Sequence, residues 1–346
     1  MKQEKMKVAM YYNNNDVRIQ EMSIPVINDS ELLVKVKASG ICGSDVMEWY
    51  RIKKAPRVLG HEITGDIVEV GKNVKKYKVG DRIFVSHHVP CNTCHFCLNN
   101  QHTLCHTLHS TNFYPGGFAE YLRVPEINVD RGVFLLPKEV SYDEGVFIEP
   151  LACVVRGLRV AEMKPGQTIL IIGSGISGLL HIKLARARKA SRILATDIND
   201  YRLKTAKKFG ADAVINAKDD ISEQVKKHND GKLADIVIIC TGVPSAMKQA
   251  LKSVDSGGTI LFFAPTEPNV EIQFPLFDLW NKQIKMVSTY AGSPEDIKIA
   301  IDLIKSKKVT VTDMITHKLP LSETAKGFQL VAKAQNSIKV IIEPYG

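Results

Sequence analysis

Four cysteines, Cys91, Cys94, Cys97 and Cys105, stand in a C-x2-C-x2-C-x7-C run. Four thiolates so close in sequence can close tetrahedrally around zinc and leave no coordination position open, which is the chemistry of a structural metal. Iron–sulfur ligation of the ferredoxin kind closes its run with x3 rather than x7. A zinc ribbon for nucleic acid should carry interleaved aromatics, and this loop holds only Phe96. Thirty residues before the run lies Gly60-His61-Glu62. An imidazole beside a carboxylate suits a second metal that keeps a place for substrate. Cys42, in the polar string GICGSD, adds a thiolate to that second set, and Glu149, in FIEPLACV, adds a carboxylate. Glu62 either binds the metal or orients the site. The histidines His87, His88, His95, His102, His106 and His109 lie near the cysteine run and are expected on the surface of a long loop.

A different chemistry is written after residue 165. Gly173, Gly175 and Gly178 form G-x-G-x-x-G directly after the strand TILII and directly before a helical stretch. In that context the first glycine makes a tight turn and the second lets backbone approach a pyrophosphate. The third lets the helix sit close to the strand, its N-terminus facing the phosphates. Asp197 lies 19 residues beyond Gly178, at the end of RILATD, where a carboxylate can bind ribose hydroxyls of NAD and repel the 2′-phosphate of NADP. Ile176 and Ser177 in the turn, Arg202 near Asp197, and Thr241 after ADIVIIC complete the candidate cofactor contacts.

These residues need two scaffolds. Up to residue 150 the chain alternates apolar and polar residues in short runs broken by Asn, Gly and Pro (KVAMYY, VRIQEM, LLVKVKA, EITGDIVEVG), which predicts many short β-strands in a barrel or sandwich. After Pro150 come apolar strands (QTILIIG, SRILATD, ADIVIIC, GGTILFFA) separated by helical segments. That alternation argues for a parallel sheet covered on both faces. Helical spacing returns over 294–307 and a strand, SIKVIIEP, closes the chain. With 346 residues there is room for two cores. No apolar run reaches the ~18 residues of a membrane span. Residues 1–10 lack an apolar stretch, so no secretory leader and a cytoplasmic location are expected. Seven cysteines, four of them crowded, suit metal ligation in a reduced compartment, while Cys153 and Cys240 sit in apolar strings as small hydrophobes. The net charge of +9 reads as solvated lysine rather than a nucleic-acid surface. The cluster Arg51, Lys53, Lys54 and Arg57, between Cys42 and His61, either rims a pocket, where it could hold a phosphate, or is solvated, and Trp49, Phe113 and Trp280 either line the pocket or belong to the core.

GHEITGDIVEVGKNV carries Gly60, His61, Glu62, Gly65, Gly71 and Val74 in the register G-H-E-x2-G-x5-G-x2-V. It resembles the zinc signature of medium-chain dehydrogenases/reductases, and GICGSD, the four-cysteine lobe, EPLA and GSGISG follow in that family's order. EPLA, with glutamate at 149, is similar to the polyol branch of sorbitol, galactitol-phosphate and threonine dehydrogenases. The resemblance implies a GroES-like β-barrel catalytic domain over 1–152, with a structural zinc lobe at 88–110, that resumes over 291–346. A Rossmann NAD-binding domain with a six-stranded parallel sheet would be inserted at 153–290. It further implies one catalytic and one structural zinc per chain, and a dimer or tetramer joined through Rossmann edges. The activity would be hydride transfer from a secondary alcohol (a polyol, sugar alcohol or its phosphate) to NAD. Threonine, cyclitols or simple secondary alcohols are the alternative substrates within the family, and a zinc-ribbon nucleic-acid binder is the alternative of another class. Quinone and enoyl reductases of the fold lack the cleft ligands that Cys42, His61 and Glu149 supply. Ser44 matches the family's hydroxyl proton relay. Where many relatives carry a relay histidine this chain has Met47, so either water or a carboxylate such as Glu62 takes that role or the substrate differs from simple polyols; the resemblance to galactitol-phosphate-type enzymes, which also lack that histidine, implies a phosphorylated substrate as one such case.

Overall fold

The computed structural model describes residues 4–346; the first three residues of the stretch expected to lack a leader lie outside them. The chain divides into two compact units, one of Met1–Pro150 with Ser293–Gly346 and one of Leu151–Gly292.

In the first unit the strands are β1 (Lys5–Asn13), β2 (Asp16–Ser23), β3 (Leu32–Gly40), β4 (Arg57–Val58), β5 (Glu62–Val70), β6 (Arg82–Val85), β7 (Tyr121–Val124) and β8 (Val133–Leu135). β1 and β2 form the expected hairpin, and β4 pairs with the other edge of β1. The second unit contributes β9 (Thr168–Ile172), β10 (Arg192–Asp197), β11 (Ala213–Asn216), β12 (Ala234–Ile239), β13 (Val254–Phe262) and β14 (Lys285–Ser288). The returning chain adds β15 (Ile315–Pro320) and β16 (Lys339–Glu343) to the first unit, in the sheet order β15-β16-β3-β5-β6-β8, with β7 also on β3. The tail strand therefore lies directly beside β3, pairing Ile341 with Gly40.

β9 to β14 make a six-stranded sheet, order β11-β10-β9-β12-β13-β14, with every pair parallel. All five residues of β9 are buried, as a strand covered on both faces must be. Helix starts follow local chemistry. Asn199 accepts hydrogen bonds from the amides of Tyr201 and Arg202, and Ser293 and Asp296 form a capping box ahead of Pro294–Lys305. Among the described residues no helix is long and apolar enough to cross a membrane.

Candidate active site and cofactor cradle

Adjacent strand ends explain why residues far apart in sequence meet. β3 and β5 pair so that Gly40 faces Glu62. The chain leaving β3 thus carries Cys42 past the point where His61 enters β5. One donor atom each from Cys42, His61 and Glu62 lies within 4.8 Å of the others. Cys42 caps the short turn Gly43–Val46: its amide donates to Asp45 Oδ2 at 3.1 Å, and its Sγ accepts from the Ser44 amide at 3.4 Å. Asp45 is fully buried and its Oδ1 stands 3.4 Å from His61 Nδ1, which orients the imidazole as a carboxylate behind a metal-ligating histidine does. Burial works against a charged His61, but Asp45 and Cys42 lift its pKa well above the ordinary value.

Ser44 is held from the other side. Arg51 Nη2 donates to Ser44 Oγ and Arg51 Nε to the Ser44 carbonyl, each at 2.9 Å, while the same Nη2 lies 3.4 Å from Asp45 Oδ1. Glu62 is not free to take over the role open at Met47, because its Oε2 is hydrogen-bonded by Lys339 Nζ; both side chains are 1 % exposed. A Cβ at Gly40 would collide with Glu62 Oε2 and lie 2.8 Å from Lys339 Cε, so only glycine leaves room for this pair. Glu149 occupies the first turn of the helix Ile148–Val160, half-buried, and is not one of the three converging donors.

The pairing of β5 with β6 brings Val85 opposite Ile63, so the residues after β6 reach the same end of the sheet. His87 stacks there, 4.8 Å from the His61 ring and 3.7 Å from that of His88. This corrects the surface expectation for these two histidines. Among the described residues the shielded His87 Nδ1 has no hydrogen-bond partner. Burial, then the charges of neighbouring histidines and of Arg51 and Arg57, drive its pKa well below 6.5. His95, His106 and His109 are exposed as expected, His109 Nε2 lying 2.9 Å from the Thr103 carbonyl.

The four cysteines also converge within 4.8 Å. Their Cys91–Cys97 and Cys94–Cys97 sulfur separations are 3.9 and 3.6 Å. A tetrahedron of 2.3 Å Zn–S bonds has edges of about 3.8 Å, so zinc fits the sulfur cage. Amides of Thr93 and Cys94 donate to Cys91 Sγ at 3.4 and 3.3 Å, and that of Cys91 to Cys105 Sγ at 3.3 Å. The Thr93 hydroxyl, with the amides of Thr93 and Cys94, lowers the Cys91 pKa to about 5, favouring the thiolate a metal requires.

In the second unit Gly173 takes φ +96°, and Gly175 starts the helix Ile176–Ala187. A Cβ on Gly178 would strike the Gly173 carbonyl, whereas beside Gly175 only Arg202 comes near, at 3.9 Å. The turn thus has the open mouth and tight base that a dinucleotide pyrophosphate needs. Asp197 closes β10: its Oδ2 accepts from the Ser174 amide at 2.8 Å and its Oδ1 from the Asn199 amide at 2.9 Å, with Arg202 Nη1 at 3.8 Å. Thr241 flanks Gly173.

Comparison with known proteins agrees with both halves. Residues 28–137 match the alcohol dehydrogenase GroES-like domain and residues 177–306 match the zinc-binding dehydrogenase family. L-threonine 3-dehydrogenase of Bacillus velezensis is 36% identical, the match covering 98% of this chain and 99% of that protein. The chain belongs to the zinc-binding dehydrogenases. Sorbitol dehydrogenase of Bacillus subtilis is 32% identical over 99% of this chain and 98% of its own. The crystal structure of galactitol-1-phosphate dehydrogenase from Escherichia coli superposes with a TM-score of 0.87 at 27% identity, covering 98% of this chain and all of that one. As a zinc-binding dehydrogenase with a GroES-like and a Rossmann domain, the chain is an oxidoreductase.

Within this zinc-binding dehydrogenase, sequence reasoning missed Asp45 and Lys339 altogether. Lys339 had left a signal, a lysine inside the apolar string IKVII. Phe113 is core, and Trp280 is 74% exposed. Trp49 is half-buried against Tyr50.

Proposed function

We propose that the protein oxidises a secondary alcohol of the polyol class to the ketone with NAD. Of the two hydrogens removed, the carbinol hydrogen leaves as hydride to the nicotinamide and the hydroxyl hydrogen leaves as a proton. The observation that carries this reading is the meeting of the Cys42 and His61 donor atoms, within 4.8 Å, beside a Ser44 hydroxyl fixed in place. The residues that would hold the catalytic zinc are Cys42 and His61 with a carboxylate. Glu149 is the one we assign, since Glu62 is already committed to Lys339. Zinc bound there supplies Lewis acidity that favours the alkoxide, and NAD supplies the hydride acceptor. Asp45 holds His61 in one orientation, and its charge is shared with Arg51. Ser44 accepts the alcohol proton. Because Arg51 already donates to its oxygen, the serine's own hydrogen is directed away from the guanidinium and towards the next acceptor, with no part for Met47. Cys91, Cys94, Cys97 and Cys105 would hold the structural zinc. Gly173, Gly175, Ile176, Ser177, Gly178 and Thr241 would cradle the cofactor, with Asp197 on the ribose, which favours NAD over NADP.

We also read the protein as a cytoplasmic homo-oligomer. β14 is an edge strand, and Leu276, Phe277 and Trp280 of the neighbouring helix are each more than 70% exposed, which suits a second copy of the same edge.

The test is NADH formation over free polyols, polyol phosphates, threonine, cyclitols and short secondary alcohols, with zinc counted per chain. Turnover of one member, lost in Cys42→Ser and Glu149→Ala while NAD binding survives, supports the assignment. Full activity in either variant refutes it.

A further inference from the structure

One side chain inside the second unit is more polar than its surroundings require. His181, on the helix Ile176–Ala187, is completely buried. Its Nδ1 lies 2.8 Å from the Ser177 carbonyl oxygen. A carbonyl only accepts, so Nδ1 carries the ring hydrogen and donates it there. Nε2 is then the lone-pair nitrogen, and among the described residues no donor reaches it. Burial lowers the pKa of the ring to about 4, so Nε2 gains no proton at neutral pH. An acceptor buried without a partner destabilises the fold, and a leucine of similar size would avoid that cost.

What the ring touches is the cofactor turn and its supports. Cys240 Sγ stands 3.6 Å from Nδ1. Cys240 follows β12, and its amide donates at 2.8 Å to the carbonyl of Ile172, the residue before Gly173. Phe263, just past β13, meets the imidazole edge to face, with ring centroids 4.6 Å apart. A Cβ on Gly157 would come within 3.2 Å of both Nε2 and Phe263 Cδ2, so a glycine there lets the helix Ile148–Val160 lie against the ring. The carbonyl that His181 reaches belongs to the peptide joining Ser177 to Gly178, and the N–H of that peptide is in the first turn of the helix. No side chain caps this turn, so its amides are left for an anion. A hydrogen bond donated to a peptide oxygen polarises the N–H of the same peptide and makes it a better donor.

We propose that His181 is a positioning residue for the dinucleotide: its Nδ1–H fixes and polarises the Ser177–Gly178 peptide, so that the Gly178 amide binds the pyrophosphate. This deepens the NAD reading above and rests on it. Cys240 and Phe263 hold the ring in the orientation the bond needs. Because His181 acts through backbone, its signature is in cofactor affinity and not in turnover.

The experiment titrates the zinc-loaded protein with NAD, ADP-ribose and adenosine in wild type, His181→Leu and His181→Asn. ADP-ribose keeps the pyrophosphate and lacks the nicotinamide, and adenosine lacks both. Leucine fills the volume of the ring without a donor, whereas asparagine places an amide N–H where Nδ1 stands. His181→Leu should weaken NAD and ADP-ribose by about 3–10-fold, the worth of one neutral hydrogen bond. It should leave adenosine unchanged, keep kcat at saturating NAD, and melt no lower than wild type without cofactor, since the orphan Nε2 goes with the ring. His181→Asn should recover most of the affinity. Three results would overturn the proposal: unchanged NAD affinity in His181→Leu, no recovery in His181→Asn, or an equal loss on adenosine with a lower melting temperature, the mark of a packing residue. Should His181→Leu fail to fold, nitrogen NMR of the wild-type histidines decides. An Nδ1–H tautomer of His181 that responds to ADP-ribose supports the assignment, and an Nε2–H tautomer or no response overturns it. If the wild type binds neither NAD nor ADP-ribose, the NAD reading fails and the proposal with it; if it binds both and His181→Leu is indifferent, only the proposal fails.

Discussion

Replacing Lys339 by methionine would expose what the buried pair with Glu62 contributes. Both side chains are 1% exposed, and Gly40 packs so close to the pair that a Cβ there would collide with Glu62 Oε2. Methionine keeps most of the aliphatic stem and removes the ammonium, which stands 5.7 Å from the centroid of the Phe147 ring, so the perturbation is chiefly electrostatic. Stranding a buried carboxylate costs about 3–5 kcal/mol. At about 2–4 °C per kcal/mol for a folding unit of this size, the melting temperature should fall by roughly 6–20 °C. The reasoning makes a sharper demand on the double variant. Glu62→Gln with Lys339→Met removes both charges, so it should recover to within about 1 kcal/mol of wild type, far less than the summed cost of the two single changes. Urea unfolding of the zinc-loaded protein, followed by tryptophan fluorescence and by calorimetry, measures all three variants. A Lys339→Met protein within 1 kcal/mol of wild type, or a double variant no better than the single, would refute the account, because either result means the carboxylate never depended on the lysine.

Cys97→Ser should lower the zinc content from two per chain to one and destabilise the lobe around Leu108, read by metal analysis and limited proteolysis; two retained zincs would contradict the four-sulfur cage. Asp197→Ala should weaken NAD by roughly 10–100-fold and narrow its advantage over NADP, since Arg202 is then released from the carboxylate, as fluorescence titration with both cofactors would show. Lys318 is raised to about 12 by hydrogen bonds to Asp143 and Glu343, against a smaller opposing effect of burial. A raised lysine pKa stabilises fully below its unfolded value near 10.5 and loses that contribution as pH climbs through about 12. The stability gap between wild type and Lys318→Met should thus be constant from pH 7 to 10 and vanish in stronger alkali. With the side chain 45% exposed, screening keeps it under ~1 kcal/mol. Trp280→Glu should shift the protein to a smaller species in sedimentation velocity; an unchanged species would place any self-association elsewhere.

The parts of the site that could be read from sequence are those whose geometry is set by neighbours in the chain. The cysteine run closes through its own loop, and the turn at Gly173 needs only the strand before it and the helix after it. Cys42 and His61 were legible as donors, but their meeting depends on β3 pairing with β5, and that register is written in no local spacing. Lys339 is separated from Glu62 by 277 residues and reaches it because the last strand returns beside β3. His87 and His88 looked like loop polar groups because nothing in SHHVP states that β6 ends beside the start of β5. Arg51 and Arg57, six residues apart and alike in composition, differ only in whether a hydroxyl and a carboxylate wait within reach. Side-chain type is local information and pairing is not, so an unpaired charge can be recognised only after the strands have been aligned. That is why the electrostatics of the site come from the fold rather than from the motif that named the family.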